Sequence, residues 1–280
     1  MKNVKRLVCC HKKDVMATSE PYLPIHCGKA LSQLDLGIIG DDTGDNISRK
    51  NPNYCELTAM YWAWKNLKDV DIIGLCHYRR YFDFHKQCRR VVPSTFFPEK
   101  DFAKLDLTIP DEVLRRVWGG YVVVCKPRCF MYNLMFDYAW YHISDDMKTL
   151  ERLMKEKYPR ESKAFNHVMH QRNYFHARNM FIMRWQDFDK YCSWLFAVLA
   201  DVEQRTDISH YNPMQARIYG FMSERLLDVW LCANHSKIDE RPVIFIADGP
   251  EEGVERTALS HLQRRFRGWL ATQISCPRKF

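Results

Sequence analysis

The sequence lacks the features that make several function classes easy to assign. No apolar run approaches the length needed to span a bilayer, and Met1-Lys2-Asn3-Val4-Lys5-Arg6 leads into only four apolar residues, so neither a membrane span nor a secretory leader is expected. The 11 cysteines include no Cys-x-x-Cys pair. Cys9 and Cys10 are adjacent and Cys125 and Cys129 stand four apart across a proline, which suits neither a zinc site nor a disulfide scaffold. Reduced thiols in a cytoplasmic protein are the expectation. Neither the Walker A nor the dinucleotide glycine spacing occurs. There is no internal repeat or low-complexity segment, and the basic residues are spread along the chain without a nucleic-acid motif, so no nucleic acid partner is expected.

What is present is ordinary in bulk and particular in detail. The 280 residues are 46% hydrophobic and 27% charged, enough to bury a full core. The net charge of +8 favours anionic partners. Aromatics at 14% suit either a large aromatic core or a sugar-handling surface, and composition does not choose.

Apolar strand-like runs at 6–10, 71–76, 121–125, 179–183 and 243–246 alternate with helical periodicity over 138–157, 187–205 and 214–231, which predicts α/β architecture. A helix is expected to start at Asn51-Pro52-Asn53, with Glu56 in its first turn and Leu57, Tyr61 and Trp64 as an aromatic stripe read as core packing. Residues 83–112 are less regular and are expected to form an excursion over the active face.

The densest chemistry stands at Gly74-Leu75-Cys76-His77-Tyr78-Arg79-Arg80-Tyr81-Phe82. A buried strand running into His-Tyr-Arg-Arg places cations at a carboxyl strand end, where open α/β sheets bind ligands. Paired guanidinium groups suit a diphosphate there, with surface ion pairing as the plain alternative. Asp69-Val70-Asp71 spells a metal-binding Asp-x-Asp but precedes the strand, at its amino end. Arginines can neutralise a diphosphate leaving group without a metal, so metal independence is expected, with Mg or Mn as the alternative. His167, His170 and His176 lack a zinc-like spacing. The loop around Asp41, Asp42, Asn46 and Ser48 is rich in acceptors, fit for ribose or sugar hydroxyls or simply a solvated turn. Glu224, between Phe221 and Leu226, is either half of an ion pair with Arg225 or a neighbour, or a general base or sugar ligand.

Taken together, residues 46–58, Tyr61-Trp62-Ala63-Trp64-Lys65-Asn66 and 74–82 resemble a bacterial polysaccharide glycosyltransferase family, long catalogued as a domain of unknown function (4422) and found in capsule, exopolysaccharide and O-antigen gene clusters. The resemblance continues at Pro24-Ile25-His26, 179–183, 191–196 and 220–226, and so covers most of residues 4–245. It implies a GT-A-like nucleotide-diphospho-sugar transferase fold, a Rossmann-like mixed sheet flanked by helices. It further implies a hexosyltransferase with a UDP-sugar donor, of galactose type, and a glycan or lipid-linked glycan acceptor.

Carried onto this chain by strand order, the resemblance places Cys10, His11 and Lys12 at the base. It sets Asp41, Asp42, Asn46 and Ser48 at the ribose or donor sugar, and His77, Tyr78, Arg79 and Arg80 at the diphosphate. Asn179 falls at a sugar, and Glu224 and Arg225 near the reaction centre, with no metal ligand assigned. A non-catalytic protein binding a nucleotide or an anionic glycan is the alternative.

The transferase domain is expected over 1–247, with a basic tail over 248–280. There Leu259, Leu262, Phe266, Trp269 and Leu270 recur at near-helical spacing among arginines. Such a helix can lie on an anionic membrane or dock on the domain with its basic face solvated. The first case would hold the enzyme peripherally on the inner face of the plasma membrane.

Overall fold

The computed structural model describes residues 3–85 and 94–247; the tail expected over 248–280 lies outside them. In chain order, β1 (Val4–Cys10), β2 (Tyr22–His26) and β3 (Ile39–Gly40) are followed by α1 (Asn51–Tyr54), α2 (Leu57–Asn66), β4 (Ile72–His77) and β5 (Arg80–Phe82). Next come β6 (Ser94–Phe97), α3 (Asp111–Trp118), β7 (Tyr121–Cys125), β8 (Arg128–Cys129), α4 (Leu134–Tyr141), α5 (Ser144–Lys157) and α6 (Pro159–Asn166). The chain closes with β9 (Tyr174–Phe175), β10 (Phe181–Arg184), α7 (Trp185–Glu203), α8 (Ile218–Ala233), β11 (Lys237–Arg241) and β12 (Val243–Ile246).

The main sheet runs β11-β7-β10-β4-β1-β2-β3. β4, β1, β2 and β3 are parallel, with Cys9 beside His77 and Cys10 beside His26, so their carboxyl ends form one edge. β10 is antiparallel to both β4 and β7, and Phe181 pairs with Leu75 and Val124. Its entering end therefore meets the leaving end of β4. That one reversal brings residues 178 and 179 to the ligand edge.

Both faces of the sheet are covered, which is why its central strands read as continuous apolar runs. Leu7, Leu75 and Val124 belong to a core shared with α2, α7 and α8, whereas Val8, Cys76 and Val123 pack with residues of α3, β5 and β12 on the other side. The stripe Phe188, Tyr191, Leu195, Val198, Leu199 and Val202 of α7 is buried. Tyr61 and Trp64 are partly buried against Phe196, so the aromatic stripe of α2 is packing.

Several local expectations need correction. The helix read over 138–157 is two helices, α4 and α5, separated at residues 142–143. The helix expected from residue 51 breaks at Cys55, whose φ of 52° lies in the left-handed region, and restarts as α2 with Glu56 directly before it. The excursion contains β6, which adds to the sheet beside β12. β2 and β11 were not legible as strands: β2 contains Pro24, and β11 is the charged edge sequence Lys-Ile-Asp-Glu-Arg.

Candidate active site

The turn entering β10 is built on two consecutive left-handed residues, Arg178 (φ 79°) and Asn179 (φ 51°). Asparagine tolerates that conformation better than most residues, and arginine does so at a cost in strain. The turn spans two carboxylates. The Arg178 backbone N–H donates to Glu224 Oε1 at 2.7 Å, and Asn179 Nδ2 donates to Glu56 Oε1 at 2.7 Å and to Ser223 Oγ at 2.9 Å. Ser223 Oγ in turn donates to the Gly220 carbonyl at 2.8 Å. Asn179 Oδ1 is buried and has no hydrogen-bond partner among the described residues.

α8 approaches the break at Cys55 closely. A Cβ on Gly220 would lie 2.9 Å from Cys55 Sγ, so glycine is required there for close approach. That contact sets Glu56, just past the break, opposite Glu224. Burial raises the pKa of both carboxyls above the ordinary range. For Glu56 the hydrogen bond from Asn179 opposes the shift; for Glu224 the nearby Arg225 charge opposes it and the charge of Glu56 reinforces it.

Cations surround the pair. Arg217, exposed on the turn before α8, donates from Nε to Cys55 Sγ at 3.3 Å, and its charge acts on Glu56, Glu224 and His11. His77, at the end of β4, donates from Nε2 to the Arg178 carbonyl at 2.9 Å. Burial and the Arg80 charge push its pKa down to about 3, so it is a neutral imidazole at physiological pH. His11 sits edge-on to Tyr78, with ring centroids 5.4 Å apart, and burial together with Lys12 and Arg217 holds it below its usual value. Lys12 Nζ stands 5.9 Å from the same Tyr78 ring. The carboxyl edge thus joins one half-buried carboxylate pair to a rim of positive charge, a combination suited to moving a proton beside a bound anion.

The profile of a family described as Domain of unknown function (DUF4422) matches residues 5–235. The chain belongs to this family. Its structure is similar to that of WbbM, described as a bifunctional glycosyltransferase in apo form, with a TM-score of 0.78 and 28% sequence identity. The likeness covers 91% of this chain and 47% of that one, so the chain spans about half the length of the protein it matches. The fold is GT-A-like, as the resemblance implied. No curated protein matches the chain.

In this DUF4422 chain the two adjacent arginines part company, because Arg79 lies in the two-residue turn between β4 and β5 whereas Arg80 opens β5, paired with His77. Arg79 donates to Asp14 at 2.8 Å and Glu99 at 2.9 Å, tying the segment after β1 to the 3-10 turn Glu99–Lys104. Arg80 lies over the Phe245 ring at 4.9 Å, and its charge reaches His11, His77 and Glu56.

The acceptor-rich loop also divides. Asp41 is fully buried and receives the Gly28 and Lys29 backbone N–H groups and the Ser48 hydroxyl, so Asp41 and Ser48 brace the loop from within. Asp42 and Asn46 line an open depression of about 650 Å³ together with Lys29, Arg49 and Lys50. Cys10 is buried, and its Sγ donates to the Val8 carbonyl at 3.3 Å.

Arg225 turns into the core. It donates to Asp137 at 3.1 Å and stacks on Phe175 and Tyr138 at 4.7 and 5.1 Å. Asp71 receives the Asn3 backbone N–H at 2.8 Å, before β4 and at its amino end. The three histidines do not converge: His167 pairs with Gln171, His170 with Glu151 and His176 with Asp228. Among the described residues no three His, Cys, Asp or Glu side chains come together as a metal site.

Sequence reasoning left Glu56, Arg178 and Arg217 out of the site. Glu56 stood in the motif block but read as a first-turn helix acid, since the break at Cys55 leaves no glycine as a signal.

Proposed function

We propose that the chain is a glycosyltransferase, passing a galactose-type sugar from UDP to a growing, lipid-linked cell-surface polysaccharide of the capsule, exopolysaccharide or O-antigen kind. The observation that carries this reading is the Glu56–Asn179–Ser223–Glu224 cluster at the carboxyl edge, faced by Arg80 and Arg217, whose charges also reach His11. The likeness to a bifunctional glycosyltransferase supports the same class. In this reading Glu224 takes the proton of the acceptor hydroxyl, its raised pKa bringing it nearer working pH. Asn179 and Glu56 hold the acceptor or donor sugar, the free Asn179 Oδ1 receiving a hydroxyl. Arg80, His77 and Tyr78 meet the diphosphate, with Arg79 bracing them and Arg225 setting the charge around Glu224. Asp42 and Asn46 face the ribose or sugar, on a loop held by Asp41 and Ser48. His11 and Lys12, both exposed, meet the base, with Cys10 buried behind them as packing.

Guanidinium charge replaces a metal in this scheme. A thermal-shift titration with UDP and UDP-sugars, repeated in EDTA, tests it. Stabilisation that persists in EDTA is expected. Loss of the shift in EDTA would overturn metal independence, and no shift with any nucleotide sugar would overturn the transferase reading.

A further inference from the structure

Among the described residues no helix is long and apolar enough to cross a membrane. One helix nevertheless presents aromatic rings to solvent. Tyr132, Phe136 and Trp140 recur every four residues through the turn before α4 and along it. Their rings form a ladder with centroids 4.6 and 6.0 Å apart. Trp140 is 71% exposed and Tyr141 62%, with Met131 and Met214 also exposed. Rings of this size in solvent are costly to leave uncovered, and contiguous apolar patches mark interaction surfaces.

The surrounding polar groups narrow the choice of partner. Asn133 caps α4 through Phe136 N and donates to the His170 carbonyl, while Asp137 is buried on Arg225. Of the polar side chains of α4 only the exposed Tyr141 hydroxyl remains, and no amide or carboxylate of the helix is left to receive sugar hydroxyls between the rings. Within residues 126–141 the only charged side chains that reach solvent are Lys126 and Arg128. Asp145, at the start of α5, is neutralised by Lys148 at 2.9 Å. Exposed Trp, Tyr, Phe and Met with a net cationic flank fit a lipid interface bearing negative charge.

We propose that Tyr132, Phe136, Trp140 and Tyr141, flanked by Lys126 and Arg128, form a docking surface for an anionic bilayer. The surface connects to the carboxylate cluster through two short links. Gln215 Nε2 donates to the Tyr141 carbonyl at 3.0 Å, and Arg217, two residues on, bonds Cys55 next to Glu56. Docking through α4 therefore holds the cluster near the headgroups, where a lipid-borne acceptor would present its sugar. The surface argument itself does not rest on the transferase reading.

The test is flotation of the full-length chain with phosphatidylcholine vesicles containing phosphatidylglycerol, and with phosphatidylcholine vesicles alone. The chain is expected to float with the anionic vesicles and far less with the neutral ones. Phe136→Ser/Trp140→Ser should reduce the apparent affinity about tenfold, since both rings lose their insertion. Thermal unfolding and UDP titration of the double variant should match the parent, which separates this result from failure of the nucleotide site or of folding. Brominated phospholipid should quench part of the tryptophan fluorescence, and Trp140→Phe should abolish that part while still floating. Three results would overturn the proposal: a parent chain that stays at the bottom of the gradient, a double variant that floats like the parent, or a sedimentation-detected dimer that the double substitution dissolves.

Discussion

Asn179 donates to Glu56 at 2.7 Å while the backbone N–H of the preceding Arg178 donates to Glu224, also at 2.7 Å. One two-residue left-handed turn thus holds two carboxylates from two different helical segments. Its position at the leaving end of β4 follows from β10 being inserted antiparallel in an otherwise largely parallel sheet.

Removing the charge of Glu224 should remove proton transfer and little else. Glu224→Gln is expected to lower kcat by about 10²–10⁴ with UDP affinity preserved, measured by UDP release and nucleotide titration. Comparable loss of nucleotide binding would mean that Glu224 shapes the donor pocket instead.

Gly220→Ala should destabilise the fold by about 1–3 kcal/mol, because the new methyl meets Cys55 Sγ at 2.9 Å and a packed contact must give way. Adding Cys55→Gly should recover most of that loss, as it removes the sulfur and relieves the positive φ. Urea unfolding of the two single variants and the double variant measures the coupling; strict additivity would count against the contact.

The adjacent arginines should separate in a binding experiment. Arg80→Ala is expected to weaken UDP binding by about tenfold or more, the scale of a lost charge-assisted hydrogen bond. Arg79→Ala should cost about 1 kcal/mol of stability, since its partly exposed ion pairs are screened, with a smaller effect on UDP. Isothermal titration and thermal melts report both. Equal binding losses would place both guanidinium groups on the ligand.

Two histidines should give stability opposite pH dependences. His77 is held neutral, down to about 3 against an ordinary 6.5, so the fold binds fewer protons than the unfolded chain between those values. Its contribution is complete above about 6.5 and is lost as pH falls toward 3. For His176 burial favours the neutral ring, but Asp228 at 2.8 Å and Glu240 at 3.4 Å overcome it and raise the pKa to about 9. That contribution is complete below about 6.5 and is lost as pH rises through 9. His77→Gln should flatten the acid limb of the stability profile and His176→Gln the alkaline limb, each read by denaturant titration across pH.

Much of the frame was legible from residue order alone. The strands β1, β4 and β7 announce themselves because burial on both sheet faces demands unbroken apolar runs. The apolar stripe of α7 is equally plain, since one helical face must match one core. The motif around His77 pointed to the ligand edge because chain direction makes the residues after a strand its carboxyl end. Residue order could not say that Arg79 would be held by Asp14 and Glu99 while Arg80 faced the cluster; those carboxylates come from distant loops.

The sequence by itself determined the α/β class, which residues follow each apolar strand and the supply of cations among them, because these depend on local periodicity and order. Only the tertiary structure decided which acids meet. Glu56 reaches Glu224 through a chain break at a non-glycine residue, a glycine contact on α8 and a reversed strand, and long-range packing of that kind leaves no local pattern to read.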